Sequence, residues 1–109
     1  MSGSDPGGSS GSALGASASS PCESLRLERN LEAPVPGVAD ELEVGDLLNV
    51  VLRDGQPALV IAIDQAQREV GGILPTGRLI ECLRQGFRFE AKVTRRTGGA
   101  VQIEVRTAR

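Results

Sequence analysis

The spacing of apolar and polar positions divides residues 22–107 into short strands and one helix. Ser24-Leu25-Arg26-Leu27-Glu28-Arg29 alternates with period two, which predicts a short half-buried strand. Ala33-Pro34-Val35-Pro36-Gly37 interrupts regular structure, because proline lacks an amide donor and glycine admits unusual dihedrals. Val38 to Leu42 has room for one helical turn, and Val44-Gly45-Asp46 reads as a turn. Leu47 to Arg53 is apolar and β-branched, and Asp54-Gly55 after it is a preferred hairpin pair. Pro57 cannot donate to a ladder, so pairing resumes beyond it. Ala58 to Ile63 is apolar on both faces, with Leu59, Ile61 and Ile63 on one and Ala58, Val60 and Ala62 on the other. A strand of that kind is central in a sheet and covered on both sides.

Gln65 to Arg68 is a polar turn, and Glu69 to Leu74 is a strand interrupted by Gly71 and Gly72. Paired glycines inside a strand predict a bulge or a sharp barrel corner. The period then lengthens. Leu79, Ile80 and Leu83, with Cys82 beside them, form one face of a helix at about 77–85. Thr76 is its expected N-cap and Gly86 its expected C-cap, with Arg84 well placed for the helix dipole.

The last hairpin can be placed by register. Phe89, Ala91 and Val93 alternate with polar residues, as do Val101, Ile103 and Val105. A three-residue loop, Thr97-Gly98-Gly99, sets Val93 against Ile103 and Ala91 against Val105. On the other face it sets Lys92 against Glu104, Glu90 against Arg106 and Thr94 against Gln102. A two-residue Gly98-Gly99 loop sets Val93 against Glu104 instead, flipping one strand's apolar face, so the longer loop is expected. The fold class that follows is mainly β with one helix. It is a small closed or half-open β-barrel of five to six strands, the helix preceding the last hairpin.

Composition bounds this picture. Eight Ser, five Gly and three Ala fill sixteen of the first twenty positions. Residues 1–21 therefore bury too little apolar surface to offset their ordering entropy and are expected to form a disordered tail. The tail has no basic start and no apolar run of signal-peptide length, and no segment approaches a membrane span. A cytoplasmic protein with no membrane partner is expected.

The chain contains no His, Tyr or Trp and two cysteines, Cys22 and Cys82. Without histidine, Ser-His and Cys-His nucleophile pairs are excluded and zinc coordination loses its usual ligands. Cys82 falls on the buried helix face, where core packing is the expected role; a disulfide with Cys22 requires Cα atoms within roughly 7 Å. Gly72 to Leu79 has the glycine spacing of a phosphate loop, but Arg78 and Leu79 stand where Lys and Ser/Thr are needed. Asp40, Glu41, Glu43 and Asp46 could supply an acid–base pair, although a solvated acidic turn is the simpler reading. No catalytic residue, cofactor, metal or small-molecule substrate is expected.

Charge is uneven. Pro21 to Asp46 holds seven acidic and two basic residues, and Arg78 to Arg109 holds eight basic and three acidic. The expectation is that the two stretches lie side by side and neutralise each other. The residues expected to contact a partner are Arg88, Lys92, Arg95, Arg96 and Arg106, with Arg84 nearby. Phe87 and Phe89 are the only aromatic residues, few for stacking on bases.

From Ala58 to Val93 the order is buried strand, polar turn, Glu69-Val70-Gly71-Gly72-Ile73-Leu74-Pro75, short helix, Gly86 and a strand through Phe89, Ala91 and Val93. This stretch resembles the second half of HIRAN domains, small barrels found with helicases or alone in bacteria. The resemblance implies a small β-barrel that binds single-stranded DNA ends. Two features depart from the family: the first half has no Arg followed by Asn-Pro-x-Asp, and Ile73 stands where an aromatic is usual. None of the family's DNA contacts is therefore carried over. The whole of 22–107 also resembles small uncharacterised bacterial proteins with a Pro-Cys start, a Val-Gly-Asp turn and a helix cysteine. The function expected is a non-enzymatic module binding another protein. DNA-end binding is the alternative, and self-association through an exposed edge strand is a third reading.

Overall fold

A computed structural model describes residues 21–108. The expectation of a disordered tail falls on residues outside the described ones. Six strands form one antiparallel sheet: β1 Arg26–Asn30, β2 Leu47–Arg53, β3 Leu59–Ile63, β4 Glu69–Ile73, β5 Phe89–Thr97 and β6 Ala100–Thr107. Helix α1 spans Gly77–Arg84, and a 3-10 turn spans Ala39–Glu41. The sheet order is β1-β6-β5-β2-β3-β4, and the sheet curls into a half-barrel. The expected fold class is the one observed.

Alternation explains which side is the core. Leu48 and Val50 of β2, Val60 and Ala62 of β3, Phe89, Ala91 and Val93 of β5, and Val101, Ile103 and Val105 of β6 all point inward and are buried. Burying one of the Val, Leu, Ile or Phe side chains contributes about 1.5–3 kcal/mol. Helix α1 adds Leu79 and Cys82 to the same core. The Thr76 hydroxyl accepts the Leu79 N–H at 3.1 Å at the start of the helix. At its end, Gly86 has φ +98°, its N–H donates to the Leu83 carbonyl, and the Phe87 N–H donates to the Cys82 carbonyl. That is a Schellman stop, which requires the left-handed residue that glycine supplies most cheaply.

The two edges of the curled sheet, β1 and β4, meet along a seam. The chain from Cys22 to Val35 runs antiparallel to the chain from Val70 to Cys82. Val35 N–H donates to the Val70 carbonyl at 2.7 Å. Glu32 and Gly72 exchange two backbone hydrogen bonds of 2.8 Å, forming an isolated bridge. The Arg29 guanidinium reaches across to the Leu74 carbonyl at 3.0 Å and also caps the Glu28 carbonyl at 2.9 Å. Beyond these, Cys22 and Cys82 form a disulfide with Cα atoms 5.7 Å apart. Gly71 sits where this seam is tightest. A Cβ there would lie 3.1 Å from the Glu32 carbonyl oxygen and 3.3 Å from Pro34 Cα. The glycine pair thus serves a close approach between edges. A register shift beside it, between Ala62 and Ile63, is the expected irregularity of β4 against β3.

Four expectations are corrected. The last hairpin turns on two residues, because Thr97 pairs with Ala100 around Gly98-Gly99. Val93 still faces Ile103, since a bulge at Thr94 absorbs the extra residue. Gln102 consequently faces Arg95 rather than Thr94, although the Thr94 hydroxyl donates to the Gln102 carbonyl at 3.2 Å. The Asp54-Gly55 pair belongs to a five-residue connection, 54–58, between Arg53 and its partner Leu59. The cysteines are buried as expected for core residues, but they are bonded to each other. The acidic and basic stretches do lie side by side, because β1 pairs with β6, yet the register sets like charges opposite: Arg26 faces Arg106 and Glu28 faces Glu104. Among the described residues no ion pair joins the two stretches; Glu41 pairs with Arg68, and Arg106 pairs with Glu90.

Candidate functional site

The outer face of the sheet carries the side chains that the core leaves over. On β5 and β6 these are Glu90, Lys92, Gln102, Glu104 and Arg106, with Arg88 just before β5. Register aligns them in rows: Lys92 faces Glu104, and Glu90 faces Arg106 with a 3.0 Å ion pair. After the bulge the alternation inverts. Arg95 joins the outer face opposite Gln102, whereas Arg96 faces buried Val101. The Arg96 guanidinium instead donates to the Asp40 and Leu42 carbonyls and ties the 3-10 turn to β5. Of the five expected contact residues, the structure thus gathers Arg88, Lys92, Arg95 and Arg106 on one face and assigns Arg96 to the framework. Arg84 pairs with Asp54 at 3.0 Å.

Toward β2 and β3 the same face becomes apolar. Leu47 is 40% exposed, Val51 39%, Leu59 50% and Leu74 62%. Val51 lies directly opposite Ile61 on β3. Ile61 is only 3% exposed, although it points away from the main core. On that side the Arg53–Glu69 ion pair of 3.4 Å spans β3, because Arg53 stands beside Leu59 and Glu69 beside Ile63. The expectation that β3 is covered on both sides therefore holds at its centre and fails at Leu59. The junction between the two regions is regular: Leu47 faces Lys92 and Asn49 faces Glu90. Continuing that register sets Val51 beside Arg88, and the two line one shallow pocket with Asn49 and Phe87.

A second concavity, of about 630 Å³, opens between the 3-10 turn and the β3–β4 turn. Asp64 lies in its wall and is buried. Its carboxylate accepts the Arg68 and Ala66 backbone N–H groups and the Arg68 guanidinium, all within 2.8–2.9 Å. The Arg68 backbone N–H is the main reason that the Asp64 pKa lies below the ordinary aspartate value. Arg68 also pairs with Glu41 at 2.9 Å, which lowers the Glu41 pKa and raises its own. Arg68 thus joins two carboxylates, and the hydrogen bonds to Asp64 brace the turn. Sequence reasoning missed Asp64; the signal was an Asp leaving an apolar strand two residues before Ala66, the geometry of an Asx turn.

The remaining candidate chemistry is accounted for by structure. Asp46 accepts the Glu43 N–H at 2.9 Å and Asp40 the Gly37 N–H at 3.4 Å, so both carboxylates cap turns. In the near-phosphate loop, Gly72 belongs to the seam and Thr76 to the helix cap. With both sulfurs in one disulfide, neither cysteine presents a thiolate nucleophile. Among the described residues no helix is long and apolar enough to cross a membrane, and no three acidic or sulfur ligands are grouped to hold a metal. Compared with protein-family models, curated proteins and solved structures, the chain finds no match.

Proposed function

We propose that the protein is a non-enzymatic module that binds another protein through the outer face of β2 and β3. The observation that carries this reading is the cluster of Leu47, Val51, Leu59 and Leu74, four of the five large apolar side chains exposed on the described surface. Exposed apolar groups are ordinary when scattered, but several gathered on one face beside a row of charge mark an interaction site. Val51→Glu combined with Leu59→Glu tests it, since both side chains point outward. Partners captured from the native cell by the wild-type chain should be lost with this variant and kept with Gln67→Glu on the far turn. Equal capture by both variants would refute the assignment.

DNA-end binding is the second reading, favoured by four cations sharing the face. An anisotropy titration with single-stranded DNA at low salt decides it; affinity insensitive to Arg88→Glu and Arg95→Glu removes it. Self-association through an edge has less support, because Arg29 covers the Glu28 carbonyl on β1 and residues 32–35 cover β4. On location, the sequence points to the cytoplasm, whereas a buried disulfide supports an oxidising compartment. Alkylation of protein in intact cells, followed by mass measurement, separates the two.

A further inference from the structure

The apolar face is joined to an electrostatic one, and the junction has a regular geometry. Along β2, Leu47 and Val51 are about 13 Å apart. Each has a cation of the β5 strip beside it, Lys92 opposite Leu47 and Arg88 beside Val51. Among the described residues neither cation makes an ion pair or a side-chain hydrogen bond, and the same is true of Arg95. The outer face of β1, β5 and β6 with its flanking residues holds five cations (Arg26, Arg88, Lys92, Arg95, Arg106) against four carboxylates (Glu23, Glu28, Glu90, Glu104). That face carries +1 on a chain whose net charge is −2. An unmatched positive strip beside an apolar strip, one strand spacing of about 5 Å away, fits a ligand with the opposite arrangement.

We infer that the partner is an acidic amphipathic segment of another protein, with large apolar side chains on one side and carboxylates on the other. This rests on the face assigned above and adds the chemistry of what occupies it. The apolar groups would sit over Val51, Leu59 and Leu47, and the carboxylates would reach Arg88 and Lys92. A nucleic acid would use the cations but leave the aliphatic strip without a matching partner, and the face offers bases one half-buried ring, Phe87, because Phe89 is buried.

Selection of a random displayed peptide library on the full chain tests the inference. Enriched peptides should combine Asp or Glu with at least a pair of large apolar residues. Their affinity should fall about tenfold with Arg88→Glu/Lys92→Glu and should also fall with Val51→Glu/Leu59→Glu, each variant keeping its circular dichroism. Neutral or basic winners, or no enrichment, overturn it. Oligothymidylate that binds at the same cations and displaces the peptides overturns it in favour of nucleic acid. Peptides that lose binding only on Val51→Glu/Leu59→Glu leave the face assigned and the acidic partner rejected. Peptides indifferent to both variants remove both readings.

Discussion

Reduction of the Cys22–Cys82 disulfide is the perturbation with the largest calculable effect. The bond joins residues 60 apart in sequence. Closing a loop of that length in the unfolded chain restricts it by about 14 cal/mol/K, or about 4 kcal/mol at room temperature. Domains of this size are stable by roughly 5–10 kcal/mol in total. The clasp therefore supplies a large fraction of the stability, and the structure shows why one is needed there. Elsewhere the strands are held by ladders, whereas the seam between β1 and β4 has a single bridge, one further backbone bond and the Arg29 clamp. Urea unfolding followed by circular dichroism measures the effect, with and without a phosphine reductant. Cys22→Ala/Cys82→Ala is the second arm. With an m-value near 1 kcal/mol/M, the midpoint should fall by about 3–4 M on reduction, and the double variant should fall at least as far. A reduced midpoint within about 0.5 M of the oxidised one would show that the seam holds without its disulfide, and the reasoning would fail.

Other expectations concern the seam and the Asp64 brace. Gly71→Ala forces a methyl against backbone atoms that cannot yield cheaply and should cost about 1–3 kcal/mol in thermal melts. Gly72→Ala, whose nearest contact would be 3.6 Å, should cost less; the reverse order would misplace the tight point. Arg29→Met should lower stability by about 1 kcal/mol and speed hydrogen exchange at Glu32 and Gly72 ahead of the β5–β6 amides. The depressed pKa values of Asp64 and Glu41 give stability that is present above their unfolded values and lost as pH falls through the folded ones. Acid titration should therefore destabilise the wild type below about pH 4 more than Asp64→Asn, and parallel acid profiles would contradict this.

What the sequence made legible was local. The helix limits followed from Thr76, Gly86 and the Leu79–Leu83 spacing, and the faces of β5 and β6 followed from alternation. The bulge at Thr94 was hidden because a bulge plus a two-residue turn leaves the same apolar residues inward, Phe89 to Val93 and Val101 to Val105, as a plain three-residue loop. The discriminating fact lies on the neighbouring strand, where just before β2 the Gly45 N–H and the Asp46 carbonyl bond to Val93. The disulfide was hidden for a related reason: two cysteines that far apart acquire a pairing only once β1 and β4 are known to meet. Gly71 and Gly72 announced special backbone, but a corner and a close approach leave the same trace in sequence. At the candidate site, four of the five expected cations share one face. Their division into surface and framework depended on the bulge, which turned Arg95 outward and Arg96 inward. The apolar half of the face was read as buried because β3 is central, yet centrality covers only Ile61.

The most direct test of the outer-face assignment is site-specific photo-crosslinking in the native cell. A photoreactive residue replaces Leu59 in one sample and Gln67, on the opposite turn, in another. The account predicts a discrete adduct with another protein from position 59 and none from position 67. No adduct from position 59, or the same adducts from both, would contradict it.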